Sequence, residues 1–351
     1  MVGRIRVSLA GIVSISLTAC QMSFSSGNRD TDEQVNPDQP NTEIAARTFG
    51  SLANFATFPA RQHINRLSVK KARDLRDASD LSRDPSPSWQ VWVGPGLTDA
   101  VILGADAKIS NNNWDLTVGI GHRISDESVI GIATGFGRNE SAQPGNTHTN
   151  WDATFTGPYF AHRLSPHSVF DFWVGVSSGA GDSRVANLGR DYDSTGYFLA
   201  SSMTGLFEIG VVQVRPRMSL LYDDRKFNGY RLASDPGSTA DFAAVRDHDL
   251  TYGMGRLSAE IGRAFDTPEE TRIAPFLRAG VSYEAGNAVD ENFMMNALSE
   301  TDQSRWRGDA QLGIRINLFG QAAGEIEGGY DGIGDNESDV WSLRGAFTIW
   351  L

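Results

Sequence analysis

The feature that most limits what this chain can become is a two-residue alternation. It starts near Ser88 and runs, in about a dozen short segments, to the last residue. In the final segment one side reads Trp341, Leu343, Phe347, Ile349, Leu351 and the other Ser342, Arg344, Ala346, Thr348. A strand with one oily and one wet face needs cover for the oil, and no helical pattern lies among these segments to supply it. A sheet closed on itself, with its oily faces turned into lipid, removes the difficulty because closure pairs every backbone group. The competing reading is an ordinary soluble β-sandwich. The strand count and the missing helices favour an all-β fold, a 12-stranded antiparallel transmembrane β-barrel over residues 85–351.

The strands are expected near 88–97, 111–122, 127–138, 150–162, 167–178, 194–209, 211–223, 249–263, 272–284, 305–318, 320–331 and 339–351. In the second, Trp114, Leu116, Val118 and Ile120 face lipid, while Asp115, Thr117, Gly119 and Gly121 face in. In the tenth, Ala310, Leu312, Ile314 and Ile316 oppose Asp309, Gln311, Arg315 and Asn317. A charge on the lipid face costs a few kcal/mol near mid-membrane, and the pattern avoids it. All eight Trp and all eight Tyr lie at or after Trp89, as amphipathic rings do when they form belts at the two lipid–water interfaces.

The connections sort by length. They are short at Arg123–Glu127, Arg163–His167, Gly210, Ala264–Glu270 and Gly320, and long at Asn139–Asn150, Ser178–Asp193, Asp224–His248 and Glu284–Ser304. Short turns belong to the periplasmic end of an outer-membrane barrel, so both barrel ends point there. Pro158, Pro216 and Pro275 fall within expected strands, where each removes a ladder donor.

The lead segment has its own organisation. Arg4 and Arg6 precede an apolar stretch, Val7–Ala19, too short to cross a bilayer as a helix, so residues 1–19 read as a signal peptide. That stretch ends Leu17-Thr18-Ala19-Cys20, which resembles the bacterial lipobox; the resemblance implies lipidation (palmitate) of Cys20, with ordinary cleavage beside a chance cysteine as the alternative. Cys20 is the single cysteine, so no disulfide forms within the chain. Residues 20–43 have almost nothing to bury and read as a disordered tether. Residues 44–84 read as a helical linker. Ile44, Phe49, Leu52, Ala53 and Ala56 form an apolar stripe, followed by Arg61, Arg66, Lys70, Lys71, Arg73 and Arg76. Such a basic helix either lies solvated on the surface or plugs an acidic lumen.

The hairpin Thr117–Gly137, with its Gly-rich strands and polar turn, resembles the repeated hairpin of autotransporter β-domains. So do Val214-Arg215-Pro216 running to Tyr222, Ala274-Pro275-Phe276 running to Tyr283, and the helical stretch ahead of the first strand. The closing alternation resembles the signal read by the outer-membrane barrel assembly machinery, although such chains usually end in Phe or Trp and here Trp350 is penultimate. The resemblance implies a 12-stranded translocator in the bacterial cell outer membrane whose pore holds a helix, connected to a secreted passenger. Between Cys20 and Ile44 there is room for no sizeable passenger, so a short displayed peptide or the outer loops are expected instead.

Chemistry-bearing motifs are scarce. There is no Gly-x-Ser-x-Gly elbow, no Cys pair and no His-Glu-x-x-His site. Asp247-His248-Asp249 is the best catalytic candidate, but neighbours on a strand point to opposite faces. His122, His148, His162 and His167 are scattered at strand ends. The expectation is therefore no enzyme, no cofactor and no metal. Inward Asp115, Asp152, Asp171, Glu260, Glu325 and Glu327 are expected to pair with Arg215, Arg217, Arg278, Arg307, Arg315 and Arg344. The net charge of -12 argues against nucleic acid as a partner. Outer-membrane lipid and the assembly machinery are the expected partners, and a monomer the expected state. The leading function is a surface or structural protein or a self-translocator. An ion or solute channel is the alternative, and a barrel hydrolase comes third.

Overall fold

The computed structural model describes residues 88–103, 108–125, 127–143, 147–185, 188–228, 230–234, 241–245, 248–267, 271–288, 305–318, 321–334 and 338–351. The expected signal peptide, tether and helical linker lie outside them. In chain order the strands are β1 (Trp89–Leu103), β2 (Lys108–Arg123), β3 (Ser128–Gln143), β4 (Thr147–Ser165), β5 (Ser168–Val185), β6 (Leu188–Gly205), β7 (Phe207–Ile209) and β8 (Val212–Phe227). Then come β9 (Tyr230–Ser234), β10 (Asp241–Val245), β11 (His248–Gly262), β12 (Phe265–Asp266), β13 (Arg272–Ala288), β14 (Arg305–Leu318), β15 (Ala322–Ile333) and β16 (Ser338–Trp350). Twelve of these build one closed antiparallel wall. Setting aside the short β7, β9, β10 and β12, each strand pairs with its chain neighbour, β6 pairs with β8, and β1 pairs with β16 to close the ring.

Alternation dictates the two faces. Along β8 every second residue from Gln213 to Phe227 is buried. On the outer wall Ile132, Val176, Leu199, Leu220, Leu257, Leu312, Ile326 and Leu343 are exposed. For a soluble protein that would be an untenable apolar surface; for a barrel it is the lipid-facing band. Tyr197, Tyr222, Trp306 and Trp341 crown it as exposed rings, with Tyr283 against Trp306 and Tyr330 against Trp341, both at 4.9 Å between centroids.

At the short-turn end the chain reverses tightly. Gly210 (φ 63°) takes the left-handed conformation in the two-residue turn between β7 and β8, which L-residues with a Cβ resist. The barrel's two ends meet there too: the Trp89 N–H donates to the Leu351 carbonyl at 3.2 Å and the Leu351 N–H returns a bond of 2.9 Å. Trp350 is buried and faces in, so the outward terminal residue is Leu351.

Two expectations are corrected at the opposite end. The long connections expected at Asn139–Asn150 and Ser178–Asp193 are mostly strand, with pairing continuing to Gln143↔Thr147 and Val185↔Leu188. Above the lipid both faces are wet, so alternation disappears from the sequence although the backbone ladder runs on. The connection after β8 likewise contains a hairpin, β9–β10, that joins the edge of β6. The three prolines do sit in strands and face outward. Pro216 and Pro275 keep register with Ala259 and Ile314. At Pro158 the ladder skips from Thr156↔Val176 to Tyr159↔Trp173, and the Trp173 indole N–H donates to the Gly157 carbonyl at 3.0 Å.

Candidate functional site in the barrel lumen

The inward residues divide the lumen into two unlike walls. Strands β1 and β4–β6 contribute Trp92, Trp151, Phe155, Tyr159, Trp173 and Phe198, all nearly fully buried. These rings need space that the neighbouring strands leave by being glycine. A Cβ at Gly119 would stand 2.4 Å from the Trp92 indole, and one at Gly179 would stand 2.5 Å from the Trp151 indole nitrogen. At Gly131 it would meet the Tyr159 ring at 2.5 Å and the Ile120 carbonyl at 2.3 Å. Edge-on contacts of Phe198 with Trp173 (4.6 Å) and Phe155 (5.8 Å) lock the layer. The Tyr159 hydroxyl accepts from Gln90 Nε2 and Trp92 Nε1, each at 3.2 Å.

The facing wall, β8 to β15, is ionic. Its hub is Glu260 on β11, which takes Arg315 Nη1 at 2.5 Å, Arg278 Nη2 at 2.9 Å and Arg215 Nε at 3.7 Å. Arg315 Nε reaches Glu325 at 2.6 Å, and Arg278 Nη1 reaches Glu327 at 2.8 Å and Gln311 Oε1 at 2.7 Å. Phe276 lies beneath both cations, 4.0 Å from Arg315 and 5.2 Å from Arg278, on a floor that Gly313 leaves open. Further toward the long-loop end Arg256 pairs with Asp309 and Arg307 with Glu284. Each pair joins neighbouring or next-neighbouring strands, so the network braces the wall's curvature while neutralising charges that water scarcely reaches.

Most of the expected lumen residues are here. Asp115, Asp171, Glu260, Glu325, Glu327, Arg215, Arg217, Arg278, Arg307 and Arg315 are buried, and Asp171 accepts from Ser202 Oγ at 2.6 Å. Arg344 shares their face, opposite Glu327 in the ladder. Asp152 is the exception. Its neighbours Trp151 and Ala153 face in, and Asp152 points outward, 3.8 Å from Arg138. Above the apolar band a polar side chain no longer reports which face it is on, so the sequence alone misplaces it. The lumen is also less acidic than expected: among the described residues the buried charged ones comprise eight carboxylates and seven guanidiniums. Sequence reasoning passed over Asp223 and Arg225, where β8 loses clear alternation near its outer end, and Arg256, which shares the inward face of β11 with Glu260.

The catalytic candidate falls only partly on the described residues: Asp247 lies outside them, and the backbone of His248 and Asp249 pairs with Phe227 and Lys226 in the ladder. The histidines serve local contacts. His122 packs on Trp89 at 4.5 Å, His162 bonds Ser128 Oγ at 2.8 Å, and His167 stacks on Phe207 at 6.1 Å. Among the described residues no group of His, Cys, Asp and Glu is placed to hold a metal ion.

A closed twelve-stranded wall with an apolar band, an aromatic crown and a polar, ion-paired interior defines an outer-membrane β-barrel protein. The family model for the autotransporter β-domain matches residues 100–329, and the chain belongs to that family. Solved structures agree on the fold. The β-domain of the Bordetella autotransporter BrkA superposes with TM-score 0.58 at 14% identity, covering 75% of this chain and 100% of that one. The translocator domain of the autotransporter NalP from Neisseria meningitidis also gives 0.58 at 14%, covering 84% and 100%. The transport unit of the autotransporter AIDA-I from Escherichia coli gives 0.53 at 11%, covering 82% and 99%. A search of curated proteins finds no sequence match.

Proposed function

We propose that this barrel is an autotransporter-type translocator that carries the chain ahead of its first strand to the cell surface. Residues 44–84 occupy the lumen. The observation that carries the reading is the state of the ionic wall. In a selective channel, rings of like charge face water and meet ions. Here Glu260, Glu325 and Glu327 are shared out among Arg215, Arg278 and Arg315 across adjacent strands, which suits a static liner. The entry point supports it as well: β1 begins at the short-turn end, so the chain before Trp89 arrives at the periplasmic mouth.

Planar-bilayer recording separates this reading from an open channel. The full-length protein should conduct little, and deleting Ile44–Ser79 should open a large, steady conductance. A large conductance already present in the full-length protein and unchanged by the deletion would leave the channel reading instead. The lipobox makes a separate prediction. Metabolic palmitate labelling of the intact chain should vanish in Cys20→Ser, and label that persists would remove Cys20 as the anchor.

A further inference from the structure

Barrel walls are convex on the outside, yet β2 to β6 leave a groove of about 610 Å³ on their outer surface near the long-loop end. Two rows of side chains line it across the ladder. The lower runs Phe136, Thr154, Ser178, with Trp114 beside it on β2, and the upper runs Arg138, Asp152, Ala180, Asp193. A third row, Glu140, Asn150, Asp182, Asp191, continues above the groove. Phe136 stands eight residues beyond Ser128 at the start of β3, and Asp152 thirteen residues before Ser165 at the end of β4. At ~3.4 Å per residue and a tilt of about 40°, these positions lie roughly 20 Å and 33 Å above the short turns, on either side of the top of a band about 25 Å tall. The aromatic flank of the groove therefore lies at the level of lipid, and its acidic rows lie at the level of water.

We propose that this face docks a cationic amphipathic peptide, an external partner segment with Lys or Arg along one side and apolar residues along the other. Its cations meet Asp152, Asp193, Asp182 and Asp191. Its apolar side lies in the groove against Trp114 and Phe136, which are 46% and 42% exposed. Charge selects the sign of the partner. On β3 to β6 the two acidic rows hold five carboxylates and one guanidinium, and Arg138 already carries Glu140 at 3.0 Å and Asp152 at 3.8 Å. Lys226, on β8, stands opposite Thr195 and Asp249 instead. Asp182 and Asp191 face each other directly, an arrangement that destabilises a ladder and that an external cation relieves. Shape selects the rest. A small amine would leave Trp114 and Phe136 uncovered. A single metal ion would meet too few ligands, because Asp152 and Asp193 are separated by two strand spacings of about 4.8 Å each. A peptide lying in the interface plane covers both levels, apolar side down and charges up. A second copy of this barrel would present the same acidic rows and be repelled. The chain's own basic stretch, Arg61 to Arg76, precedes β1, which begins at the opposite, short-turn end.

The proposal goes beyond the translocator reading and is independent of what occupies the lumen. Full-length protein in non-ionic detergent is immobilised and offered a helix-forming peptide of Leu and Lys, amphipathic in sequence, or its scrambled isomer of equal charge. Binding is read by biolayer interferometry at low salt. Wild type should hold the amphipathic peptide more tightly than the scrambled one. Its affinity should fall about tenfold in the double variant Asp152→Asn with Asp193→Asn, the combined scale of two exposed charge pairs at low salt. It should fall as far in Ala180→Trp, which fills the groove and leaves every charge in place. Asp249→Asn with Asp339→Asn removes the same charge from β11 and β16, away from the groove, and should leave binding unchanged. All five positions are exposed, and heat-modifiable gel mobility verifies that the variants fold. Unchanged binding in the first two variants, or an equal loss in both double variants, overturns the site. A scrambled peptide held as tightly as the amphipathic one would overturn it in favour of a plain charged patch. Displacement of the peptide by magnesium chloride, but not by sodium chloride of the same ionic strength, would overturn it in favour of a divalent-cation site.

Discussion

Replacing Glu260 with Gln is expected to destabilise the barrel by about 3–5 kcal/mol, the scale for removing one partner from a buried ion pair. The physical reason is the sharing: one carboxylate serves three guanidiniums on β8, β13 and β14, all with side chains less than a tenth exposed. Arg278 retains Glu327, and Arg315 retains Glu325. The wall nevertheless gains an uncompensated positive charge where solvent cannot screen it. Arg215 stands farthest from Glu260 of the three, at 3.7 Å, and removing its charge lowers the excess, so adding Arg215→Gln should recover part of the loss. Urea unfolding from micelles, followed by tryptophan fluorescence and gel mobility, provides the measurement. The comparison is Glu140→Gln, whose half-exposed pair with Arg138 is worth at most about 1 kcal/mol. If the two variants unfold at the same urea concentration, the Glu260 network is not a brace.

The second large effect has the opposite sign from what strand preference suggests. Valine is favoured over glycine in strands, yet Gly119→Val should cost about 1–3 kcal/mol or more, the range for overpacking a filled interior. The three nearest atoms to a Cβ there, at 2.4–2.7 Å, all belong to the Trp92 indole. Trp92→Ala should therefore suppress Gly119→Val in a double-mutant cycle. At Gly157 the obstruction is the Val174 carbonyl at 1.9 Å, which is backbone, so no side-chain truncation should rescue Gly157→Val. Gly137 has its nearest neighbour at 3.9 Å and should accept alanine with little change. Equal behaviour of the three positions would mean that the rings do not depend on glycine for their seats.

Much of this architecture was written in the alternation. All twelve wall strands were expected near their observed places, and β14 at the same bounds, because within lipid a misplaced charge costs too much for the pattern to blur. The pattern fails where lipid ends. Asp152, expected inward, faces out, and the upper parts of β3 to β6 and the β9–β10 hairpin look like loops in the sequence because both faces meet water. The lumen's charged residues were legible as a list. Their partners were not, since pairing of Glu260 with Arg315 depends on register across three strands. The pairing of rings with glycines was equally hidden: the sequence shows many glycines within strands, and only the ladder reveals which ring each one admits.

The seam between β1 and β16 joins residues from opposite ends of the wall, and it holds one register on both sides of Pro95, from Val93↔Phe347 to Gly96↔Arg344. Until the last strand is made, the first has no mate and the growing sheet presents two raw margins. Completion is therefore a single late event with a steep entropic threshold. A barrel without β16 forfeits the ring itself, because β1 and β15 both lose the mate that joins them.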